Sequence, residues 1–210
     1  MMRICLATEN KGKVAEIQSL LDGLPVTIVT SKDLGIEMDV AETGKTYREN
    51  AYLKASAYAV KTGLPSLGDD SGLEVAALDG APGLYSNRYA PDQNPTDHDR
   101  RIYLLSILAG KPKPWTAFFT CTICLCYPNG RHWFFNGRCN GEIIPEERGT
   151  NGFGYDPIFQ MAGLAKTMAE LSDTEKNRIS HRARALQNTR PVLERLIRIG
   201  NNRESNDPDR

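Results

Sequence analysis

The opening of the chain alternates the two hydrophobic periods that mark an α/β fold. Arg3 to Ala7 is a short apolar run of the kind that forms a buried strand, and Val14, Ile17, Leu20 and Leu21 then recur at helical spacing over Lys13–Leu21. Asp22-Gly23 stops that helix, and Val26 to Val29 begins a second strand. A strand, a loop, a helix and a strand in that order commit the chain to α/β architecture. At 210 residues it can form one large domain or two closely joined lobes around a real core.

Further along, a helix is expected from about Tyr47 to Lys61 and another over Thr96–Leu108. Lys111-Pro-Lys-Pro114 reads as a rigid surface connection. Phe118–Tyr127 and Arg131–Cys139 are β-rich runs on either side of Pro128-Asn129-Gly130, a strong hairpin signal. From Ser172 the pattern is helical to about Ile199, with a break in periodicity at Arg190-Pro191 that predicts a kink. Residues 200–210 are polar and are expected to be a disordered tail behind a single domain over 1–199. The expected fold is therefore α/β with a mixed sheet.

Charge and cysteine content narrow the function classes. Lysines plus arginines equal aspartates plus glutamates at 26 each, so no global field draws the chain to nucleic acid or to an anionic membrane. Phosphate groups would have to be held by locally placed cations. The five cysteines show no disulfide framework, and no stretch approaches membrane-spanning length or a signal h-region. A cytoplasmic protein is expected, without nucleic acid or membrane partners. Cys121-x-x-Cys124-x-Cys126 has the look of a metal-binding spacing, but it falls in a predicted strand whose alternation separates Cys121 from the other two, so core cysteines are expected.

Four clusters could carry chemistry. Leu64 to Leu67 reads as an extended segment leading to Asp69, Asp70 and a Ser71-Gly72 turn, followed by a Gly/Pro-punctuated loop at Asp79–Gly83. Strand ends that open into loops are where α/β proteins place chemistry, and hard carboxylate oxygens there suit a Mg²⁺-dependent phosphate enzyme. An isolated Asp-Asp-Ser-Gly is as readily a solvated turn. Thr8-Glu9-Asn10-Lys11-Gly12-Lys13, between the first strand and helix, offers backbone N–H groups and two lysines to phosphate oxygens. It is not a Walker A loop, since Val14 follows Lys13, and a plain helix-capping turn is the alternative.

On the second helix Tyr47, Ala51, Lys54 and Tyr58 share one stripe, and Glu42-Thr43-Gly44 precedes it. An inward lysine needs a carboxylate or a phosphate, unless it snorkels to solvent. The last cluster joins Phe153-Gly154-Tyr155-Asp156 to Lys176, His181 and Arg182, with a ring to stack on a base and hydrogen-bonding groups to read it. In one unbroken helix from Ser172, His181 would face solvent. If Ser180 instead caps a new helix, His181 and Arg182 occupy its first turn and can point at a ligand, and this second arrangement is expected.

Six ordered stretches then resemble the inosine triphosphate pyrophosphatase family, the non-canonical purine nucleoside triphosphate pyrophosphatases. They are Ala7 to Lys13, Glu42-Thr43-Gly44 through Ala51, Asp69 to Leu73, Gly80-Ala81-Pro82-Gly83 to Tyr89, Gly152 to Pro157, and Ser180-His181-Arg182. The resemblance spans roughly residues 3 to 198. It implies hydrolysis of ITP, dITP and XTP to the monophosphate and pyrophosphate, with Mg²⁺ as cofactor and Asp70 as the carboxylate that activates water. It also implies that Asp70 and Glu42 hold the metal. By the same carry-over Thr8, Asn10, Lys11, Gly12, Lys13, Lys54 and Ser71 grip the phosphates. Phe153, Gly154, Tyr155, Asp156, Lys176, His181 and Arg182 bind the base. A homodimer is implied, with an elongated mixed sheet flanked by helices and an active-site cleft between two lobes. Glu9 departs from the family pattern, in which a small residue is usual there, and it is not expected to touch phosphate.

Overall fold

The structure is a computed structural model that describes residues 1–204. Its strands are β1 (Met2–Leu6), β2 (Val26–Thr30), β3 (Ser66–Val75), β4 (Trp115–Cys126), β5 (His132–Ile143) and β6 (Phe159–Met161). Its helices are α1 (Lys11–Leu21), α2 (Tyr47–Thr62), α3 (Asp97–Leu108), α4 (Asp173–Ile179) and α5 (His181–Glu204), with short 3₁₀ turns between them. The strands form one mixed sheet in the order β2-β1-β3-β4-β5-β6, flanked by helices, as the α/β reading expects. β1 pairs in parallel with β2, from Met2 opposite Val26 to Leu6 opposite Thr30, and in parallel with β3 at Cys5–Ser66 and Leu6–Leu67. β6 closes the far edge antiparallel to β5. The Pro-Asn-Gly hairpin is formed, with the Tyr127 N–H on the Arg131 carbonyl at 2.9 Å and Gly130 at φ 83°.

Two compact units divide these elements. The first comprises Met1–Asp70, Thr122–Asn136 and the chain from Ala185; the second comprises Ser71–Cys121 and Gly137–Arg184. In the first unit, small residues let α2 lie close on β3. A Cβ on Gly68 would come within 2.3 Å of the Ala51 carbonyl, so only glycine fits there. Ala51, Ala55 and Ala59 pack with Cys124 and Cys126, all fully buried. α2 is capped at both ends: Thr46 accepts the Glu49 N–H at 3.1 Å, and Gly63, at φ 67°, donates to the Ala59 carbonyl.

In the second unit, α3 packs Leu104 and Leu108 against Leu73, Val75, Phe159 and Ile158, and burial of each such side chain stabilises by roughly 1.5–3 kcal/mol. A capping box of Thr96 with Asp99 starts α3.

Two expectations are corrected. Asp69 and Asp70 do not follow a strand into a turn; they lie inside the ten-residue β3, both buried. Helix α5 runs to Glu204, past the expected end at Ile199, with Pro191 inside it. The remainder of the expected tail, 205–210, lies outside the described residues.

Candidate active site

The first unit surrounds the aspartate pair of β3 with lysines. Asp69, 1 % exposed, is ion-paired with Lys13 of α1. Asp70 accepts from Lys54 Nζ at 3.0 Å and from Asn50 Nδ2 at 3.3 Å, both on α2. The same Lys54 ammonium donates to Glu42 Oε1 at 2.7 Å. Asn50 Oδ1 accepts the Gly44 N–H at 2.8 Å, which ties the Glu42–Gly44 loop to the helix. The buried lysine of the α2 stripe thus meets two carboxylates rather than snorkelling to water.

Asp69, Asp70 and Glu42 draw in the ammoniums of Lys13 and Lys54. Burial alone would pull the Lys54 pKa down, but the charges of Asp70, Glu42 and Asp69 outweigh it and the net shift is upward. For Asp70 the balance goes the other way: burial pushes its pKa up by more than Lys54 and Lys13 pull it down.

The start of α1 is built as a polar turn. Asn10 caps the helix by accepting the Lys13 N–H at 3.0 Å, and Thr8 Oγ accepts the Asn10 N–H at 3.2 Å. The first turn holds no acidic side chain, and Lys11 is exposed beside Gly12 at the positive end of the helix dipole. Glu9 is exposed. Among the described residues no three His, Cys, Asp or Glu side chains converge as a metal cage; Asp70 and Glu42 meet on the Lys54 ammonium.

The second unit holds the other cluster. Asp156 accepts from Lys176 Nζ at 2.6 Å and from the Phe153 N–H at 3.0 Å. Gly152 sits at φ 75°, and a Cβ there would meet Asp156 Oδ2 at 2.1 Å, so this turn requires glycine. Lys176 Nζ stands 5.1 Å from the Phe153 ring centre and the Arg182 guanidinium 5.7 Å, within cation–π range. Arg182, 1 % exposed, donates to Ser71 Oγ at 3.1 Å.

α4 ends at Ile179, and Ser180 is extended (φ −67°, ψ 161°) with its hydroxyl accepting the Ala183 N–H at 3.2 Å. It caps α5, which puts His181 and Arg182 in a first turn. His181 stacks on Phe119 at 4.7 Å, with Nδ1 3.9 Å from the thiol of Cys139. Burial pushes that thiol up to about 11, so it is neutral.

Two residues expected at the base make contacts within the fold. Tyr155, 4 % exposed, donates its hydroxyl to the Ser86 carbonyl at 2.8 Å. Gly154 gives its N–H to Asp97 and its carbonyl to Arg101, each at 2.8 Å. Asp97, Arg101 and Glu147 escape the sequence reading, and Asn50 falls within its Glu42–Ala51 stretch without a site role. Asn50 carried a signal, one turn before Lys54, whereas Arg101 lies 46 residues from Glu147 and 53 from Gly154, with no local pattern joining them.

Residues 4–192 match the Ham1 family. The dITP/XTP pyrophosphatase of Geobacter sulfurreducens is 50 % identical over 187 residues, covering 89 % of this chain and 94 % of that one. The dITP/XTP pyrophosphatase of Desulfotalea psychrophila is 45 % identical over 93 % of this chain and 86 % of its own length. A HAM1 protein from Coxiella burnetii superposes with a TM-score of 0.84 at 43 % identity, over 93 % of this chain and 100 % of that one. With a match over nearly the whole chain, in sequence and in fold, this protein belongs to the Ham1 family.

Proposed function

We propose that the chain is a hydrolase that splits the α–β phosphoanhydride of non-canonical purine nucleoside triphosphates, ITP, dITP and XTP. The products are the nucleoside monophosphate and pyrophosphate, and the effect is to clear deaminated purines from the nucleotide pool. The observation that carries this reading is Asp70: a buried carboxylate inside a strand, held by Lys54 and Asn50 and sharing that lysine with Glu42. Burial raises its pKa above that of a free aspartate, which makes the carboxylate a stronger base toward a water proton.

In the proposed reaction Asp70 orients a water and accepts its proton as the water oxygen bonds to phosphorus. The P–O bond of the α–β bridge breaks and pyrophosphate leaves. Thr8, Asn10, Lys11, Gly12 and Lys13 present the α1 N-terminus and its ammoniums to phosphate oxygens, with Lys54 and Ser71 completing the grip. Asp69 orients Lys13. The donor pair Asp70–Glu42, already converging on a cation, fits Mg²⁺, which takes one or two carboxylates and draws its remaining ligands from phosphate and water. Bound by these two residues, Mg²⁺ would supply charge neutralisation and a more acidic water.

Base reading falls to the second cluster. Phe153 offers a ring face, Asp156 an acceptor fixed by Lys176, and His181 and Arg182 donors suited to a 6-oxo group. Gly154 and Tyr155 set the loop. Adenine carries an amino group at that position and would leave buried donors unpaired, a mismatch that can discriminate by about 10⁴–10⁵-fold in a desolvated site. The family resemblance adds a cytoplasmic homodimer, and light scattering tests the dimer.

Pyrophosphate release from ITP, XTP, GTP and ATP, each with Mg²⁺ and with EDTA, tests the function. Strong Mg²⁺-dependent release from ITP and XTP, with GTP and ATP nearly inert, is expected. Tight ITP binding with no release from any of them would make the protein a nucleotide sensor instead.

A further inference from the structure

The loop carrying Phe153–Asp156 is fastened by side chains that the nucleotide reading leaves without a role. Arg101 of α3 sets Nε and Nη2 each 2.9 Å from the two Glu147 carboxylate oxygens, a bidentate pair, while its Nη1 donates to the Gly154 carbonyl at 2.8 Å. One helical turn earlier, Asp97 accepts the Gly154 N–H at 2.8 Å and pairs through its other oxygen with Arg100. Arg100 in turn donates to the carbonyls of Asn87 at 3.0 Å and Pro95 at 2.6 Å. Both peptide groups of one glycine are therefore held by two side chains spaced i, i+4 on a single helix face. The Arg101 side chain is only 11 % exposed. Its hydrogen bond holds the Glu147 carboxyl below the usual range, so the pair stays ionised through neutral pH.

We propose that Arg101, with Asp97 and Glu147, is a positioning clamp that pre-forms the purine-reading loop; this rests on the assignment of that loop to the base. The loop contains Gly152 at φ 75° and Gly154 at φ 62°, positions with wide conformational freedom in an untethered chain. Ordering it at the moment of binding would be subtracted from affinity, and a clamp removes that cost beforehand. Arginine suits the task because its planar fork meets a carboxylate with two donors while a third reaches the carbonyl; a lysine ammonium cannot hold that geometry. None of the three touches Asp70 or Lys54, so the clamp governs substrate affinity and base selectivity more than turnover.

The test compares wild type with Arg101→Ala, Arg101→Lys and Glu147→Gln. His98→Ala serves as a control, since His98 meets Glu147 at 3.1 Å from a largely exposed position. Steady-state kinetics on ITP, XTP and GTP are combined with thermal melts and with amide hydrogen exchange of residues 152–156. Arg101→Ala should raise KM for ITP about 10–100-fold with kcat within about threefold, the scale of a misplaced positioning group. It should also speed exchange in the loop and narrow the preference for ITP over GTP. Arg101→Lys should recover only part of the affinity, Glu147→Gln should raise KM about 3–10-fold, and His98→Ala should match wild type. A folded Arg101→Ala or Glu147→Gln protein with unchanged KM and unchanged loop exchange overturns the clamp. A wild type inert on every purine triphosphate overturns the nucleotide reading instead, and loop exchange then still reports whether Arg101 holds the segment.

Discussion

Both units bury lysine–aspartate contacts, and the Lys176–Asp156 and Lys54–Asp70 pairs differ in what surrounds them. Lys176 and Asp156 meet at 2.6 Å with side chains 4 % and 5 % exposed, and Asp156 also accepts the Phe153 N–H. Lys54 is shared between Asp70 at 3.0 Å and Glu42 at 2.7 Å, with Asp69 adding its field, and Asp70 is left with a raised pKa. A fully buried pair fixes a shape, which suits recognition. A cluster in which two carboxylates share one lysine, and burial raises the pKa of one of them, suits chemistry and a divalent cation.

Lys176→Met should break the contrast most severely. Removing the cation from a buried pair should destabilise the protein by about 3–5 kcal/mol in urea unfolding, with Asp156→Asn added in the double variant restoring part of the loss. A cost below about 1 kcal/mol would mean that the two side chains do not form a buried pair in solution.

Lys54→Met should cost less, about 1–3 kcal/mol, because Asp70 can respond by taking up a proton. Its pH dependence carries a sign. A carboxylate whose folded pKa is raised contributes stability below its unfolded value near 3.9 and loses it as pH rises through the folded pKa. Without Lys54 that pKa climbs further, so the variant should unfold more easily at pH 8 than at pH 5, by more than wild type does. Parallel pH profiles for the two proteins would contradict the sharing of Lys54 between Asp70 and Glu42.

The smallest expected effect is that of Ser180→Ala, about 1 kcal/mol for a lost N-cap. Since the cap sets the first turn of α5, KM for ITP should rise while kcat holds. A fall in stability with KM untouched would detach His181 and Arg182 from base binding.

These contrasts also mark where the sequence was legible. The β1–α1–β2 opening, α2, α3 and the hairpin at Pro128-Asn129-Gly130 were readable because their signals are local: periodicity, caps and turn residues. The strand through Asp69 and Asp70 was not. Gly-Asp-Asp-Ser-Gly has the composition of a turn, and it becomes a buried strand only because Lys13 and Lys54 arrive from two helices to neutralise it. The break at Ser180 was readable from its own hydroxyl and from the exposure an unbroken helix would impose on His181. The closure of Asp156 on Lys176, 20 residues apart, and of Arg101 on Gly154, 53 apart, depends on tertiary packing that no local spacing encodes.

The central claim is that Asp70 performs the chemistry while other residues hold the nucleotide. It is tested most directly by measuring ITP turnover and ITP affinity together in Asp70→Asn, with Mg²⁺ present. Turnover should fall by about 10²–10⁴-fold, with calorimetric affinity within about threefold of wild type and an unchanged fold. Near-normal turnover, or a loss of binding that accounts for the whole loss of rate, would contradict the claim.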